Sequence, residues 1–435
     1  MFSLTDPISN IADIHAFYHQ FFCPSGKVKI GIEWERTGIY KNNKTIPVPY
    51  TGEKGYKKIL LGLVEQYGWI IEDENDGNPF TLLRGKTRVT IEGDGKPEIS
   101  GAPFFSLVET QKELEEIAEE IRSLADPLDI VFSPQGISPM FHHDAVPLVP
   151  KPRYQIWDKI FPEPQRHDWM HRYMKNLSGL HINVCCTSEE DLLQKTQCFL
   201  RLSPFLCGVF ANAPFMEGKN SGVLSARRRA IFTGSFGREA MMKGFLAADF
   251  DMKKWIEWYL DRDLIIIVRG KRNLLPPRGF SFRNFLEEGF EGEHAVFEDF
   301  DAHVKTCWTD IRFRRGYLEF RALDTLELPD LMGVTAFVIG IFAHPNGFSV
   351  VQEKTKNLKE SNFPVLHEAA WQYGGKAEFE GQSFFDIIAE LMPIAKEGLQ
   401  KRGLEEGVFL EAVEKIISEK KTPAQRLLGK GIGIV

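Results

Sequence analysis

A carboxylate and a guanidinium stand two residues apart at Glu319 and Arg321, inside the segment GYLEFRALD. In an extended strand, side chains alternate between faces, so these two groups project together while Leu318 and Phe320 anchor the opposite face. A carboxylate beside an arginine suits a metal-bound phosphate. The same pair could also form an ordinary exposed ion pair, which contributes little to stability. Other acidic strands in the chain favour the first interpretation.

Polar side chains recur on one face of further predicted strands. They are Glu33 and Glu35 in GIEWER, Glu92 and Glu98 on either side of a Gly-Asp-Gly turn, and His181 and Asn183 in GLHINVCC. Glycines around an aspartate favour a tight turn, so the second pair is expected on neighbouring arms of a hairpin. Each pattern alone is common, and a single histidine is more often structural than a ligand. Together they predict one acidic cavity.

The chemistry of such a cavity follows from its charge. A curved antiparallel sheet with these faces turned inward would surround the cavity with at least five carboxylates. So many negative charges cannot stay ionised close together without cations. Mg²⁺ or Mn²⁺ is the expected ion, because both prefer hard oxygen ligands and the cysteines show no zinc-site spacing. Magnesium held by carboxylates commonly carries nucleotide phosphates.

The common nucleotide-binding motifs are missing from the sequence. It contains no GxxxxGK[ST] loop and no GxGxxG following a strand, so P-loop, kinase and dinucleotide-binding signatures do not apply. A nucleotide held by metal ions and arginines on a sheet is the remaining interpretation.

Hydrophobic periodicity predicts the elements that position these side chains. Helices are predicted over 9–22, 57–67 and 106–125, and from 187 or 188 toward 205. Strands are predicted over 29–40, 69–72, 80–84, 129–137 and 179–186, with a hairpin over 88–99. The C-terminal segment from about 383 is predicted to be helical, with Thr422 as a cap and Pro423 at the first helical position. We find no repeat or flexible linker, so the expectation is a single catalytic domain over 1–435.

Bulk composition excludes several classes of protein. A net charge of -7 over 435 residues argues against a general nucleic-acid binder. The six cysteines include no CxxC pair, and we recognise no secretory signal, so reduced thiols and a cytoplasmic location are expected. The longest apolar stretches are too short for a membrane span. The expected partners are therefore small molecules, with no nucleic acid and no membrane.

The order of motifs resembles that of the plant-type glutamate-cysteine ligases. The matching segments are GIEWER, VTIEGDGKPEISGAP, VPKPRYQIW, FANAPFMEGKNSGVLSARRR, GYLEFRALD and the tail AKEGLQKRGLEEGVFLEAVEKIISEKKTPAQRLL. The resemblance runs from about residue 30 to residue 428. It implies an α+β fold related to glutamine synthetase, in which a curved antiparallel sheet with flanking helices binds ATP, metal ions and glutamate.

The resemblance also implies a reaction in two steps. The γ-carboxylate of glutamate takes the γ-phosphoryl group of ATP, and the cysteine amine then displaces phosphate from γ-glutamyl phosphate. This would be the first step of glutathione biosynthesis, carried out by a monomer or homodimer. ATP and Mg²⁺, or Mn²⁺, are the implied cofactors, because a cation is needed to bring a carboxylate against a polyanionic phosphate.

Roles for individual residues follow from the same resemblance. The implied metal ligands are Glu33, Glu35, Glu92, Glu98, Glu319 and His181. Arg321 would contact the transferring phosphoryl group and act with Glu319 in catalysis. The implied substrate-binding residues are Arg153, Arg227, Lys151, Arg238 and Asn183. A guanidinium fork suits the α-carboxylate of glutamate; the alternative for Arg227 is a place in a solvated basic patch.

One departure from the plant pattern bears on the acceptor amine. Where the plant enzymes carry T-x-Q-x-N, this chain has His181 in place of glutamine, followed by Asn183. Two alternatives to a glutamate-cysteine ligase stay open. The first is a related ATP-dependent ligase that joins glutamate to a different amine. The second is a catalytically silent protein that retains nucleotide and metal binding.

Overall fold

The computed structural model of the protein describes residues 1–24, 28–152, 154, 156, 159, 171–234, 243–270 and 272–432. The Cα positions form two compact units. Unit 1 comprises Met1–Val28, Val184–Leu200 and Ser235–Phe320, and unit 2 comprises Lys29–Asn183, Arg201–Gly234 and Arg321–Val435. The expectation of one catalytic domain over 1–435 stays a prediction.

Unit 2 contains a large sheet. Its strands are β1 (Ile30–Glu35), β3 (Ile70–Asn75), β4 (Asn78–Arg84), β5 (Thr87–Ile91) and β6 (Pro97–Ser100), with the unit 2 parts of β8 (Gly179–Cys185) and β14 (Tyr317–Asp324). The strand order is β14–β8–β1–β6–β5–β4–β3. The pairs from β1 to β3 are antiparallel. This sheet, flanked by helices, confirms the predicted α+β class.

A second, smaller pair of strands explains one error in the strand prediction. The predicted strand 29–40 is in fact two strands, because β1 ends at Glu35 and β2 (Thr37–Tyr40) pairs instead with β7 (Ile130–Ser133). On the β6 side, the pairing of β1 runs from Glu33 opposite Ser100 to Glu35 opposite Glu98, next to the first residue of β6. Arg36 marks the break, with its guanidinium 3.8 Å from the ring centre of Trp34.

The helices of unit 2 include those predicted over 57–67 and 106–125 and in the C-terminal segment. They are α2 (Tyr56–Tyr67), α3 (Leu107–Ala125), α5 (Ala226–Gly234), α9 (Leu328–Ala343), α10 (Gly347–Lys354), α11 (Phe363–Tyr373), α12 (Phe384–Arg402), α13 (Leu410–Glu419) and α14 (Pro423–Lys430). Ser106 caps α3, as its side chain accepts from Val108 N–H. Thr422 caps α14 and Pro423 is its first residue, as predicted. Short hairpins join β9 (Phe215–Met216) to β10 (Lys219–Asn220) and β15 (Glu378–Phe379) to β16 (Gln382–Ser383).

The core of unit 2 includes α9, which is apolar on nearly all sides and packs against α12. A helix that is hydrophobic all round has to be buried, and most of its side chains are. Among the described residues, no single helix has the length and apolar character to cross a membrane. The bent pair α9 and α10, at 106°, meets that criterion by length and composition only.

Unit 1 is mainly helical. It contains α1 (Ile11–His19), most of α4 (Glu189–Val209), α6 (Met252–Leu260), α7 (Phe282–Glu288) and α8 (Phe297–Lys305), with β11 (Ile267–Arg269), β12 (Arg272–Leu274), β13 (Ile311–Phe313) and the first half of β14. Aromatic rings fill its core. Phe17 of α1 stacks on Phe297 with ring centres 4.3 Å apart, and Tyr18 lies 4.8 Å from Phe313. The buried face of α1 is therefore fixed, and its opposite face points outward.

Candidate functional site

Two glutamates face each other across strands β1 and β6 of unit 2. The register pairs Glu35 directly with Glu98, and Thr90 on β5 donates a hydrogen bond to Glu98 Oε2 at 3.0 Å. Burial, together with the negative charges of Glu33, Glu92 and Glu35, raises the pKa of Glu98 well above its ordinary value. Like charges at this density require either a proton or a cation between them.

A histidine and an amide line the neighbouring strand. Nδ1 of His181 lies 2.6 Å from Glu33 Oε2, and Asn183 Nδ2 donates to Glu33 Oε1 at 3.0 Å. The second ring nitrogen of His181, Nε2, is 3.8 Å from Glu35 Oε1. Asn183 Oδ1 is buried and has no hydrogen-bond partner among the described residues. The predicted polar face of β8 thus meets the acidic face of β1.

These side chains form two groups that are compact enough to hold metal ions. The groups are Glu33, Glu98 and His181, and Glu35, Glu92 and Glu98, with one atom from each member within 4.8 Å of the others. Glu98 belongs to both groups. Carboxylate oxygens dominate the donor set, which suits Mg²⁺ or Mn²⁺ better than softer ions. The arrangement can therefore hold divalent cations and, through them, phosphate.

Arg321 lies at the edge of the same cluster. Its Nη1 is 3.3 Å from His181 Nδ1 and 4.0 Å from Glu33 Oε2. A guanidinium at this place brings positive charge to a face that is otherwise negative, which is the condition for contacting a phosphoryl group next to metal ligands. Its predicted catalytic role stays a prediction that this position supports.

Arg227 approaches the cluster from helix α5. Its Nη1 and Nη2 donate to the carbonyl oxygens of Ala322 and Arg321, both at 3.1 Å, and its Nε is buried without a hydrogen-bond partner among the described residues. Burial lowers the pKa of Arg227 from its ordinary value. Because two of its nitrogens already bind β14, Arg227 holds the strand in place. Its predicted contact with glutamate stays a prediction.

Gly179 at the start of β8 makes this approach possible. Its N–H donates to Glu35 Oε2 at 2.7 Å. A Cβ atom added to Gly179 would lie 2.7 Å from Arg227 Nη2 and 3.2 Å from His181 Nε2. A Cβ at this position would push the end of the Arg227 side chain away, whereas glycine leaves room for it.

Sequence reasoning missed a buried aspartate that orients Arg227. Asp324, the last residue of β14, lies 4.0 Å from Arg227 Nη1. It accepts hydrogen bonds from Asn212 N–H at 2.7 Å and from Ser225 Oγ at 2.9 Å. Burial raises the pKa of Asp324 above its ordinary value. The sequence contained a sign of this residue, because Asp324 ends the segment GYLEFRALD. By strand alternation its side chain lies on the face opposite to Glu319 and Arg321.

A buried ion pair that the sequence did not predict lies in the turn between Glu92 and Glu98. Lys96 Nζ is 3.2 Å from Asp94 Oδ1, and both side chains are buried. Burial raises the pKa of Asp94 to about 6, although Lys96 acts in the opposite direction. The charges of Asp94, Glu35 and Glu92 raise the pKa of Lys96 against the effect of burial. Lys96 is therefore a fixed positive charge beside the acidic cluster.

Glu319 has different surroundings from those predicted. It lies in unit 1, where Arg312 Nε donates to its Oε2 at 2.6 Å and Arg314 Nη1 is 3.7 Å from its Oε1. Only 1% of its surface is exposed, and neither metal-binding group contains it. Its roles as a metal ligand and catalytic residue stay predictions, and the contacts found here are those of a buried ion pair.

Three further residues were predicted to bind substrate, namely Lys151, Arg153 and Arg238. Lys151 Nζ lies 3.1 Å from Asp73 Oδ2 and 5.3 Å from the ring centre of Phe80. Arg153 and Arg238 lie outside the described residues. Substrate binding by all three stays a prediction.

Comparison with known proteins bears on the identity of this site. The sequence profile of glutamate-cysteine ligase family 2 matches residues 29–432. The chain is 28% identical over 433 residues to glutamate-cysteine ligase B of Oryza sativa subsp. japonica, covering 98% of this chain and 84% of the rice protein. It is 27% identical over 427 residues to the Arabidopsis thaliana enzyme, covering 98% of this chain and 80% of that protein.

A solved structure supports the fold independently. The 2.0 Å crystal structure of a Francisella tularensis glutamate-cysteine ligase, in complex with AMP, superposes with a TM-score of 0.50. The superposition covers 94% of this chain and 86% of the Francisella tularensis chain, at 12% sequence identity. The fold is therefore the predicted glutamine-synthetase-like one. The chain belongs to glutamate-cysteine ligase family 2, and it is an enzyme of the ligase class.

The comparisons also correct the predicted location. The rice, Medicago truncatula and Arabidopsis relatives are all chloroplastic proteins. They point to a plastid, so the prediction of a cytoplasmic protein is wrong. That prediction rested on reduced cysteines and on the lack of a recognisable secretory signal, and neither observation distinguishes the cytosol from a plastid.

Proposed function

We propose that the protein uses ATP to join the γ-carboxylate of glutamate to the amine of cysteine, through γ-glutamyl phosphate. This is the first step of glutathione biosynthesis. The observation that carries the proposal is the convergence of Glu33, Glu35, Glu92, Glu98 and His181 on one sheet face, in a chain that belongs to a glutamate-cysteine ligase family. The proposal treats residues 1–435 as one catalytic domain, active as a monomer or homodimer.

The donor set of the cluster fits Mg²⁺. Glu98 is buried among three other carboxylates that raise its pKa. Divalent cations can take the place of protons in neutralising the negative charge of such a site. Glu33, Glu98 and His181 would hold one ion, while Glu35, Glu92 and Glu98 would hold another. When bound, Mg²⁺ supplies charge neutralisation for the phosphate groups of ATP and for the charge that develops during transfer.

The residues of the chain orient the reactants. Arg321, next to His181 and Glu33, is positioned to bind an oxygen of the transferring phosphoryl group. Asn183 offers a buried carbonyl oxygen that lacks a partner among the described residues, which suits the ammonium group of an amino acid substrate. The glutamate carboxylate forms a bond to the γ-phosphorus as the bond to ADP breaks. The neutral amine then attacks the acyl carbon and loses a proton to solvent, and phosphate leaves with the bonding electron pair.

Nucleotide binding has further support from a relative. The Francisella tularensis glutamate-cysteine ligase with the similar fold was solved with AMP. We infer that ATP is the phosphoryl donor here, because activation of a carboxylate needs an anionic leaving group, which cations held by the acidic cluster would stabilise together with Arg321.

The test is phosphate release from ATP in the presence of Mg²⁺ and glutamate, with cysteine compared against the other amino acids and simple amines. Mass spectrometry identifies the product. We expect rapid phosphate release only with both glutamate and cysteine, and a γ-glutamyl dipeptide as product. Phosphate release that is independent of glutamate would contradict the proposal.

A second candidate is a ligase that activates glutamate but uses another amine. The observation in its favour is His181, which stands where the plant enzymes carry glutamine and which contacts Glu33 at 2.6 Å. The same amine panel separates the two. Cysteine as the best acceptor supports the first candidate, and a different amine as the best acceptor supports the second while retaining the activation step.

A further inference from the structure

A second group of potential metal ligands lies in unit 1. His15 and His19 are four residues apart on α1, so both lie on one face of the helix. Glu189 is the first residue of α4. Its Oε2 lies 3.1 Å from His15 Nε2 and 3.3 Å from His19 Nε2. The proposed ligase reaction uses none of these three side chains.

Two of the three spacings between the ligand atoms match those of a tetrahedral metal site. Zinc lies about 2.0–2.1 Å from imidazole nitrogen and carboxylate oxygen, so two ligand atoms in a tetrahedral site are about 3.3 Å apart. The two nitrogen–oxygen distances are 3.1 and 3.3 Å, and all three atoms lie within 4.8 Å of one another. The Glu189 oxygen is thus already at ligand spacing from both imidazole nitrogens.

The surrounding structure holds the ligands in place. The opposite face of α1 is buried through Ile14, Phe17 and Tyr18, which fixes the rotation of the helix. Met252 N–H donates to Oε1 of Glu189 at 3.3 Å, so the other oxygen, Oε2, is the one directed at both imidazoles. Such outer contacts commonly orient metal ligands.

The chemistry of the donors selects the class of ion. Two imidazole nitrogens and one carboxylate oxygen suit Zn²⁺ and related transition metals, whereas the oxygen-rich cluster of unit 2 suits Mg²⁺. The side chains of His15, His19 and Glu189 are 36, 48 and 30% exposed, so an ion can enter and water can fill a fourth position. We propose that His15, His19 and Glu189 form a zinc site that joins the start of α4 to α1.

Zinc binding to the full chain tests this inference. Calorimetric titration with ZnCl₂ is carried out in excess Mg²⁺, which occupies the oxygen-rich cluster. The variants are His15→Ala, His19→Ala, the double variant and Glu189→Gln. His294→Ala is the matched control, because His294 is an exposed histidine of the same unit outside the group. Circular dichroism in chelator checks that every variant folds without zinc.

We expect the wild type and His294→Ala to bind one Zn²⁺ that the double variant does not bind. Each single variant should bind zinc at least about tenfold more weakly, since loss of even an outer partner weakens metal sites about 10- to 100-fold. Zinc should also raise the melting temperature of the wild type but not that of the double variant. Equal zinc affinity and stoichiometry in the wild type and the double variant would overturn the inference, as would a wild type that binds no zinc. Neither result depends on ligase activity, so the proposed function is tested separately.

Discussion

Nδ1 of His181 and Oε2 of Glu33 lie 2.6 Å apart across neighbouring strands. When Nδ1 donates to Glu33 in the neutral ring, the lone pair belongs to Nε2, which faces Glu35 Oε1 at 3.8 Å. In that tautomer, Nε2 can bind a cation in the acidic cluster. A carboxylate that orients a histidine in this way is common in metal sites.

His181→Gln should weaken Mg²⁺ binding. The glutamine amide can still donate to Glu33, but it replaces an imidazole nitrogen by a neutral amide group. We expect the Mg²⁺ concentration for half-maximal phosphate release to rise about tenfold or more, with an unchanged melting temperature. Titration of activity with Mg²⁺ measures this effect. Asn183→Asp is the matched comparison, since it alters the same strand face without touching the histidine. An unchanged Mg²⁺ requirement in His181→Gln would remove His181 from the ligand set.

The acidic cluster should make the metal-free protein sensitive to pH. The folded-state pKa of Glu98 is raised well above 4.5, and that of Asp94 is raised from 3.8 to about 6. Their protonated forms are favoured in the folded state, so the free energy of unfolding should decrease as the pH rises from about 4 through 6 and above. Mg²⁺ binds the ionised cluster and should reverse this loss near neutral pH.

Glu98→Gln isolates the contribution of the shared carboxylate. It should abolish Mg²⁺-dependent phosphate release, yet raise the melting temperature of the metal-free protein at neutral pH, because one of four converging charges is removed. At about 2.1 cal/mol/K per residue, a chain of this length shifts by about 1 °C for each kcal/mol. Melting curves from pH 4 to 8, with chelator or Mg²⁺, measure both effects. A lower melting temperature in this variant would show that repulsion between Glu98 and its neighbouring carboxylates does not destabilise the folded protein.

Glu319→Gln distinguishes a metal ligand from a structural ion pair. Removal of the carboxylate charge leaves Arg312 buried without its 2.6 Å partner, and breaking a buried pair in this way costs about 3–5 kcal/mol. We expect a lower melting temperature and an unchanged Mg²⁺ requirement in the protein that remains folded. The reverse result, a stable protein with a raised Mg²⁺ requirement, would support the predicted role as a metal ligand.

Arg227→Lys tests the planar fork that spans two carbonyl oxygens of β14. A lysine offers one point charge instead of two parallel donors, so it cannot make both 3.1 Å contacts. We expect the glutamate KM to rise about tenfold, with a smaller change in kcat. The matched control is Arg229→Lys, on the same helix but half-buried. If the two variants show equal glutamate KM values, Arg227 has no part in glutamate binding.

Much of the fold was predictable because the signals are local. The amphipathic pattern of 106–125 became helix α3, and Thr422 with Pro423 began α14 as expected. The end of β1 at Glu35 could not be predicted, because it depends on where a distant partner strand begins. Strand register and partner choice are long-range properties, whereas caps and periodicity are encoded within a few residues.

The functional site shows the same difference between local features, which the sequence predicts, and long-range contacts, which it does not. Strand alternation correctly placed Glu33 and Glu35 on one face, and the hairpin correctly placed Glu98 opposite them. Alternation could not reveal that Glu319 pairs with Arg312, since that contact depends on the neighbouring strand. The buried Asp94–Lys96 pair was likewise missed, because charged residues in a turn are usually solvated and only tertiary packing buries them.

The missing side chain of Gly179 has a consequence for redesign of this enzyme. The space beside that residue is shared by a guanidinium from a helix and an imidazole from its own strand, and one methyl group would separate them. A larger residue at position 179 would displace the end of the Arg227 side chain, which donates to two carbonyl oxygens of β14. A directed-evolution library that is meant to keep this contact should therefore leave the codon of residue 179 unchanged.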